Sequence, residues 1–488
     1  MITATRALPV SGLDDLSHES RMISAPWSRM IRGIGLGQYP IDHDPAVARH
    51  LREAFDQLAA KVAPENTYPE FVRRLATFAL DVTDPARDLA PAEMEAATGR
   101  LLDAARSVPN PYYRATAGSL VLDSYAKLGL GRWLPPGFPA EVLATLDEIA
   151  PDQIPDENRG RHGDYERLSA CSTVFLALGQ LGLAHLLVTP ERNHVVEALN
   201  LLERIPAPYF RGRAGSMFLS VVALLGYDHY IFDGDRDYMR ETLEYMARAD
   251  ELGIFPSFPN PIPTPWSKAY PLLTMLNAIA MGGRPEYLNT PIDWLAEARN
   301  LLDQVPWDDR VHMSQYYVVA LHNLGRLDDQ LPDLDAYMRE VVDVLDLVDP
   351  GGNFFPNGIA YPYIIELAML TGRMHLIPDE ALDRMVDALA DLDRTDTDRF
   401  NRSFPASYVL NILGEIGAPE LMFEPRDRFA GRSAMAHVID RMSEGAEKEG
   451  NRLYMIPHAL LSFALRMRGA NAPETKLFWN FRFRLANG

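Results

Sequence analysis

The chain has 488 residues, 47% of them hydrophobic and 23% charged, and carries a formal net charge of −20. That balance suits a globular chain with a large core, and so acidic a surface repels phosphate backbones and anionic lipid heads, which argues against nucleic acid and membrane surfaces as partners. The single cysteine, Cys171, excludes an intramolecular disulfide and a thiolate zinc cluster.

In chain order, residues 1–43 read as an irregular extension with the runs SGLDD, SHES and GIGLG. Its first twenty residues lack the apolar run of a secretory signal. No later stretch reaches the roughly 18 uninterrupted apolar residues of a membrane span, so a cytoplasmic location is expected. From residue 44 the pattern is helical. AVARHLREAFDQLAAKVA has apolar residues at three-and-four spacing. PAEMEAATGRLLDAARSV adds Pro91 at a first helical position, with Glu93 and Glu95 near the positive end. Thereafter two kinds of helix alternate. DRDYMRETLEYMARADELG and PDLDAYMREVVDVLDLV are amphipathic, whereas STVFLALGQLG and IIELAMLTG are apolar on all sides. A helix of the second kind is buried all round, so the alternation predicts an outer and an inner layer. The tail, 476–488, reads as extended.

A repeat of roughly 97 residues organises these helices. Four segments share a long loop, an Asn, aromatics, an apolar helix and a Gly. Their Asn residues are Asn158, Asn260, Asn357 and Asn451, and their glycines Gly182, Gly282, Gly372 and Gly469. A shorter-looped series closes at Gly129, Gly226, Gly325 and Gly417. One helical hairpin per step gives about six to eight hairpins over 44–475, one repetitive domain. An open superhelix keeps short, similar loops. Here every second loop is long and rich in Pro, Asn and aromatics, so the expected fold is an all-α α/α toroid with its mouth lined by those loops.

The mouth then collects His162, Asp164 and Tyr165 from one loop, and Phe258, Asn260, Trp266 and Tyr270 from the next. Phe355, Asn357, Tyr361 and Tyr363 come from the third, and Asn451, Arg452, Tyr454 and His458 from the fourth. This is an aromatic pocket with a few placed polar groups, the usual make-up of a small-molecule site. His162 beside Asp164 is the sharpest cluster, a histidine that a carboxylate could orient for acid–base work. His312 precedes an inner helix and faces the same choice. Each feature also has a structural reading. The Asn residues serve as helix caps, the aromatics as core, and the PNPYYRATAGS and PAPYFRGRAGS arginines, Arg114 and Arg211 with Arg213, as ties to a neighbouring helix end. Cys171 sits in an apolar helix and reads as an inert buried thiol. There is no HExxH, no glycine-rich phosphate loop and no G-x-S-x-G, so no metal site and no cofactor are expected.

The stretches YFRGRAGSMFLSVVALLG (209–226), ELGIFPSFPNPIPTPWSKAYPLLTMLNAIAMGG (251–283) and FFPNGIAYPYIIELAMLTG (354–372) resemble the linalool dehydratase-isomerase type of α/α toroid. The resemblance covers about residues 200–420. It implies the toroid fold, a pocket for a largely apolar substrate, metal-independent acid–base chemistry and homo-oligomeric assembly. It does not carry the family's cysteines, whose places hold Phe255, Pro256, Pro265 and Trp266, nor its histidine, replaced by Arg213. The leading expectation is an isomerase, dehydratase/hydratase or cyclase acting on a hydrophobic, terpenoid-like molecule. Asp164 or His162 would transfer the proton, with Tyr165 and His312 beside them. Arg213, Phe258, Trp266, Tyr270, Tyr361, Tyr363 and His458 would shape the pocket, and Asn260 and Asn357 would orient a hydroxyl. A carbohydrate-active lyase or hydrolase is the alternative, and would need a pair of cavity carboxylates. A non-catalytic helical scaffold is the third reading.

Overall fold

A computed structural model describes residues 45–60, 67–84, 86–150, 163–234, 236–252, 265–281, 284–288, 291–348, 354–394, 406, 408–410, 412–413, 416–443 and 461. The extension expected over 1–43 and the tail over 476–488 lie outside the described residues. Within them the chain is all-α. The only strands are the two-residue pair β1 (Pro425–Arg426) and β2 (Arg432–Ser433), antiparallel with Pro425 opposite Ser433.

Helices of two kinds alternate, as the periodicity implies. One set is amphipathic: α1 (Pro45–Ala59), α3 (Pro91–Arg106), α7 (His194–Arg204), α9 (Tyr238–Ala247), α11 (Trp294–Gln304), α13 (Leu334–Val342) and α16 (Ala434–Ser443), joined by the shorter α5 (Phe138–Thr145) and α15 (Ala381–Asp387). The other set is more deeply buried: α2 (Thr67–Thr83), which keeps a polar edge at Glu70, Arg73 and Arg74, and, buried around nearly their whole circumference, α4 (Pro111–Lys127), α6 (Gly163–Gln180), α8 (Pro208–Leu224), α10 (Pro265–Met281), α12 (Trp307–Asn323) and α14 (Phe354–Leu370). Inner helices pack in succession, α2 on α4, α4 on α6, and so on to α12 on α14. The amphipathic helices cover them from outside, as α3 does α4, and α7 does α6 and α8. Among the described residues, the last long helix, α16, packs against the first, α1. Nearby, the His50 ring stacks on Phe423 with centroids 5.3 Å apart.

Local chemistry sets the helix ends. Side chains of Asn110, Asn193, Asp237, Asp293 and Asp333 accept backbone N–H bonds in the first turns of α4, α7, α9, α11 and α13, each satisfying a donor that the helix leaves open. Five of the inner helices, α4, α6, α8, α12 and α14, end at glycines of the repeat. Gly129, Gly182, Gly226, Gly325, Gly372 and Gly417 all have φ between 64° and 77°, a left-handed conformation that costs a side chain ~1–2 kcal/mol. The residue after each glycine closes onto a carbonyl five positions back, as Leu130 does on Tyr125 and Tyr227 on Val222, which is the Schellman arrangement. Arg284 makes the same bond to Ile279, so α10 is aligned with the other helices by placing Arg284 where they have the residue after the glycine; the Gly282 read from the sequence lies outside the described residues.

The tightest inner pairing is α8 on α10. It depends on Gly212, where an added Cβ would lie 2.6 Å from the Met246 sulfur and 2.9 Å from the Pro271 Cβ.

Candidate functional site

Counting back from the closing positions exposes a register that the apolar character of the inner helices conceals. Thirteen, ten and six residues before closure stand Thr116, Ser119 and Asp123 on α4; Ser169 and Ser172, then Leu176, on α6; Arg213, Ser216 and Ser220 on α8; Tyr270, Leu273 and Asn277 on α10; and His312, Gln315 and Val319 on α12. Steps of three and four put these positions on one helix face. Polar residues predominate on that face, forming a stripe, and its described polar members are buried, although Ser124, Thr173, Thr274 and Ser314 are buried elsewhere on the same helices.

The stripe is continuous across α8, α10 and α12. Arg213, 2% exposed, lies over the Tyr209 ring at 5.0 Å and the Tyr270 ring at 4.4 Å. It donates to the Tyr209 hydroxyl and, at 3.4 Å, to the Tyr270 hydroxyl. Trp266 continues the stack, 5.5 Å from Tyr209 and 6.0 Å from Tyr270. Tyr270 meets Tyr316 edge-on at 5.4 Å. The Asn277 amide donates to Leu273 O at 3.0 Å and reaches Tyr316 O on α12 at 3.5 Å. Beside Tyr316 is Gln315, 0% exposed, whose amide has no partner at either end among the described residues. Nor do the buried Ser169 hydroxyl and Trp266 indole N–H have one there. Buried amides are ordinarily satisfied, and leaving one open costs ~1–3 kcal/mol. Most hydroxyls of the stripe are spent on their own helix, Thr116 on Tyr112 O and Ser216 on Arg213 O among them. Among the described residues of the stripe, the side-chain groups left without a partner therefore include the Gln315 amide and the Ser169 hydroxyl.

Of the residues singled out in the sequence, Arg213, Trp266 and Tyr270 are brought together in this stripe. His312 lies on α12 at the same register as Arg213 and Tyr270; its side chain, like that of Asn357 at the start of α14, is outside the described residues. His162, Phe258, Asn260 and His458 are outside them too. Tyr165 is buried at the start of α6, 4.9 Å from Phe210. Tyr361 and Tyr363 are buried on α14. Burial raises the Tyr361 hydroxyl pKa, and Tyr363 packs on Tyr408 at 4.7 Å. Asp164 is buried at the first turn of α6, and both its oxygens accept from Arg204 at the end of α7, one at 2.9 Å from Nε. That makes it a strut between two helices. Cys171 is buried and burial pushes its thiol up to about 12, so it is not a thiolate nucleophile.

A second register, fifteen residues before closure, holds Arg114, Arg167, Arg211, Lys268 and Arg310. These bind the ends of outer helices. Arg114 donates to Val108 O and Pro109 O, both at 3.0 Å, and Arg310 to Asp303 O at 2.9 Å. Arg167 pairs with Asp147 at 2.7 Å, and Arg211 lies 4.3 Å over the Tyr245 ring. Cations suit the negative end of a helix, so for these positions the structural reading holds, while Arg213, two residues further along α8, belongs to the stripe.

Sequence reasoning passed over Gln315, Asn277 and Ser169. The signal was available: polar residues at one fixed distance from the closing glycines, in helices with no exposed face. Among the described residues no group of three or more His, Cys, Asp or Glu side chains is placed to hold a metal ion, and no helix is long and apolar enough to cross a membrane. No protein-family model matches the chain, and no curated protein matches its sequence.

Proposed function

We propose that the hairpins close into an α/α toroid and that the buried stripe is the site of a metal-independent acid–base enzyme. Its substrate is a largely apolar small molecule bearing a hydroxyl or similar oxygen. Closure is supported by the packing of α16 on α1 and by the His50–Phe423 stack. The observation that carries the functional reading is the Gln315 amide, buried with both ends open among the described residues, on the same face as Arg213. An open amide is a standing cost to stability, and a bound oxygen function that both donates and accepts would remove it.

The sign of the charge selects among reactions. A guanidinium fixed between two tyrosine rings favours negative charge developing on oxygen and disfavours a carbocation beside it. Dehydration or isomerisation of an alcohol therefore fits better than cation-driven cyclisation. In this scheme Arg213 with Tyr270 holds the oxygen as its C–O bond breaks, Gln315 orients it, and His312 takes the proton from the neighbouring carbon and gives it to the departing oxygen, which leaves as water and can add back at another carbon in an isomerisation. Trp266, Tyr361 and Tyr363 supply the apolar walls. Asp164 acts as the strut to Arg204 instead of the proton donor. The resemblance to the linalool dehydratase-isomerase toroids supports a terpenoid alcohol as the substrate class. A glycan hydrolase would need a free carboxylate pair; at this register of the described helices the carboxylates are Asp123, held by Lys127 at 2.8 Å, and the buried Glu366 on α14, which leaves no pair.

The test is turnover of a panel of isoprenoid alcohols, read by gas chromatography, for wild type, His312→Asn, Gln315→Met and Arg213→Lys. The reading expects turnover by wild type, abolished in His312→Asn and strongly reduced in the other two while the fold is retained. Full activity in all three variants, or none in the wild type across the panel, would sink it.

A further inference from the structure

A separate cavity of about 270 Å³ opens on the outer side of the α8–α10 pair, between the C-terminal end of α9 and the face of α11. Tyr209, Met246, Pro271, Trp294 and Leu301 form its apolar wall. Three charged side chains line it: Lys268, Asp250 and Glu297. Two of them neutralise each other, since Lys268 Nζ lies 2.6 Å from the Asp250 carboxylate. The Glu297 carboxylate, half-buried on α11, has no hydrogen-bond or ion-pair partner among the described residues. Among them, what remains is one unpaired carboxylate beside two aromatic rings and an aliphatic floor.

We infer that this cavity binds a small organic cation, a primary or quaternary amine with an apolar body. A carboxylate supplies the counter-charge, aromatic faces attract a cation through their quadrupoles, and the floor receives the hydrocarbon part. A neutral molecule would leave Glu297 partly desolvated without compensation, and an anion would meet it as a like charge. The volume lies just under the usual range of small-molecule sites, about 300–1,000 Å³, which limits the ligand to a single ring or a short chain. The overall charge of −20 draws cations toward the surface. The cavity is separate from the buried stripe, although the Tyr209 ring is a wall of one and a member of the other. The inference does not depend on the enzymatic reading.

Isothermal titration calorimetry with phenethylammonium, and with the neutral isostere 2-phenylethanol, tests it on the full chain. Saturable 1:1 binding of phenethylammonium is expected, with 2-phenylethanol at least about tenfold weaker, the scale of one charge-assisted contact. Glu297→Gln should weaken the cation by about tenfold and leave the alcohol unchanged. Leu301→Trp, which fills the floor, should remove both. Gln315→Met, which alters only the stripe, should leave binding intact. Absence of saturable binding, equal affinity for amine and alcohol, or unchanged binding in Glu297→Gln overturns the inference, as does loss of binding in Gln315→Met with the fold retained.

Discussion

Replacing Gln315 by Met keeps its length and removes its amide. Both ends of that amide are open among the described residues, so the replacement relieves a desolvation cost of ~1–3 kcal/mol, and the near-equal volume adds little strain. The expected outcome is a more stable protein. Unfolding entropy near ~2.1 cal/mol/K per residue, taken over 488 residues, comes to about 1 kcal/mol/K. Each kcal/mol therefore moves the melting temperature by about 1 °C, and the variant should melt about 1–3 °C higher. Differential scanning calorimetry on matched samples resolves that difference. Turnover, or protection by a bound substrate, should fall in the same variant. Stability gained with function lost is the pattern of a residue kept for ligand contact. A variant that melts more than about 1 °C lower would show that the amide supports the fold, and the argument for the stripe as a site would fail.

Gly226→Ala places a side chain at φ 77° in open space, so the cost is backbone strain alone, ~1–2 kcal/mol. Gly226→Asn should cost less, since Asn tolerates this conformation, and equal melting of all three proteins would refute the capping account. Asp164→Asn loses a doubly hydrogen-bonded pair between a buried carboxylate and a largely exposed Arg204, so it should cost ~1–3 kcal/mol and retain turnover; complete inactivity with the fold retained would return Asp164 to proton transfer. In the buried Asp123–Lys127 pair, burial raises the carboxyl pKa and lowers the ammonium pKa. Asp123→Leu should therefore destabilise by ~3–5 kcal/mol, with most of it regained on adding Lys127→Met; a double variant no better than the single one contradicts this. The Cys171 thiol, pushed up to about 12 by burial, should not react with an aromatic disulfide at pH 8 until guanidinium unfolds the chain. Fast labelling of the native protein would show the site to be open.

Much of the architecture is written locally. Closing glycines, Asx caps and the difference between one-faced and all-round apolar helices each follow from a few neighbouring residues. They depend on backbone conformation, orphan donors and a period of 3.6. That is why the alternation of inner and outer helices, the helix ends and the helix-end role of Arg114 were readable in one dimension. The candidate site was only half so. Trp266, Tyr270 and Arg213 stood out as unusual residues, yet nothing in their neighbourhoods showed that one guanidinium lies against two rings 57 and 4 residues away. Asp164 read as half of a histidine pair because His162 is near in sequence, whereas its partner in space is Arg204, 40 residues on. Gln315 looked like an ordinary helical glutamine. Whether a buried amide is satisfied depends on which helices surround it, and that is settled by packing between segments far apart in the chain.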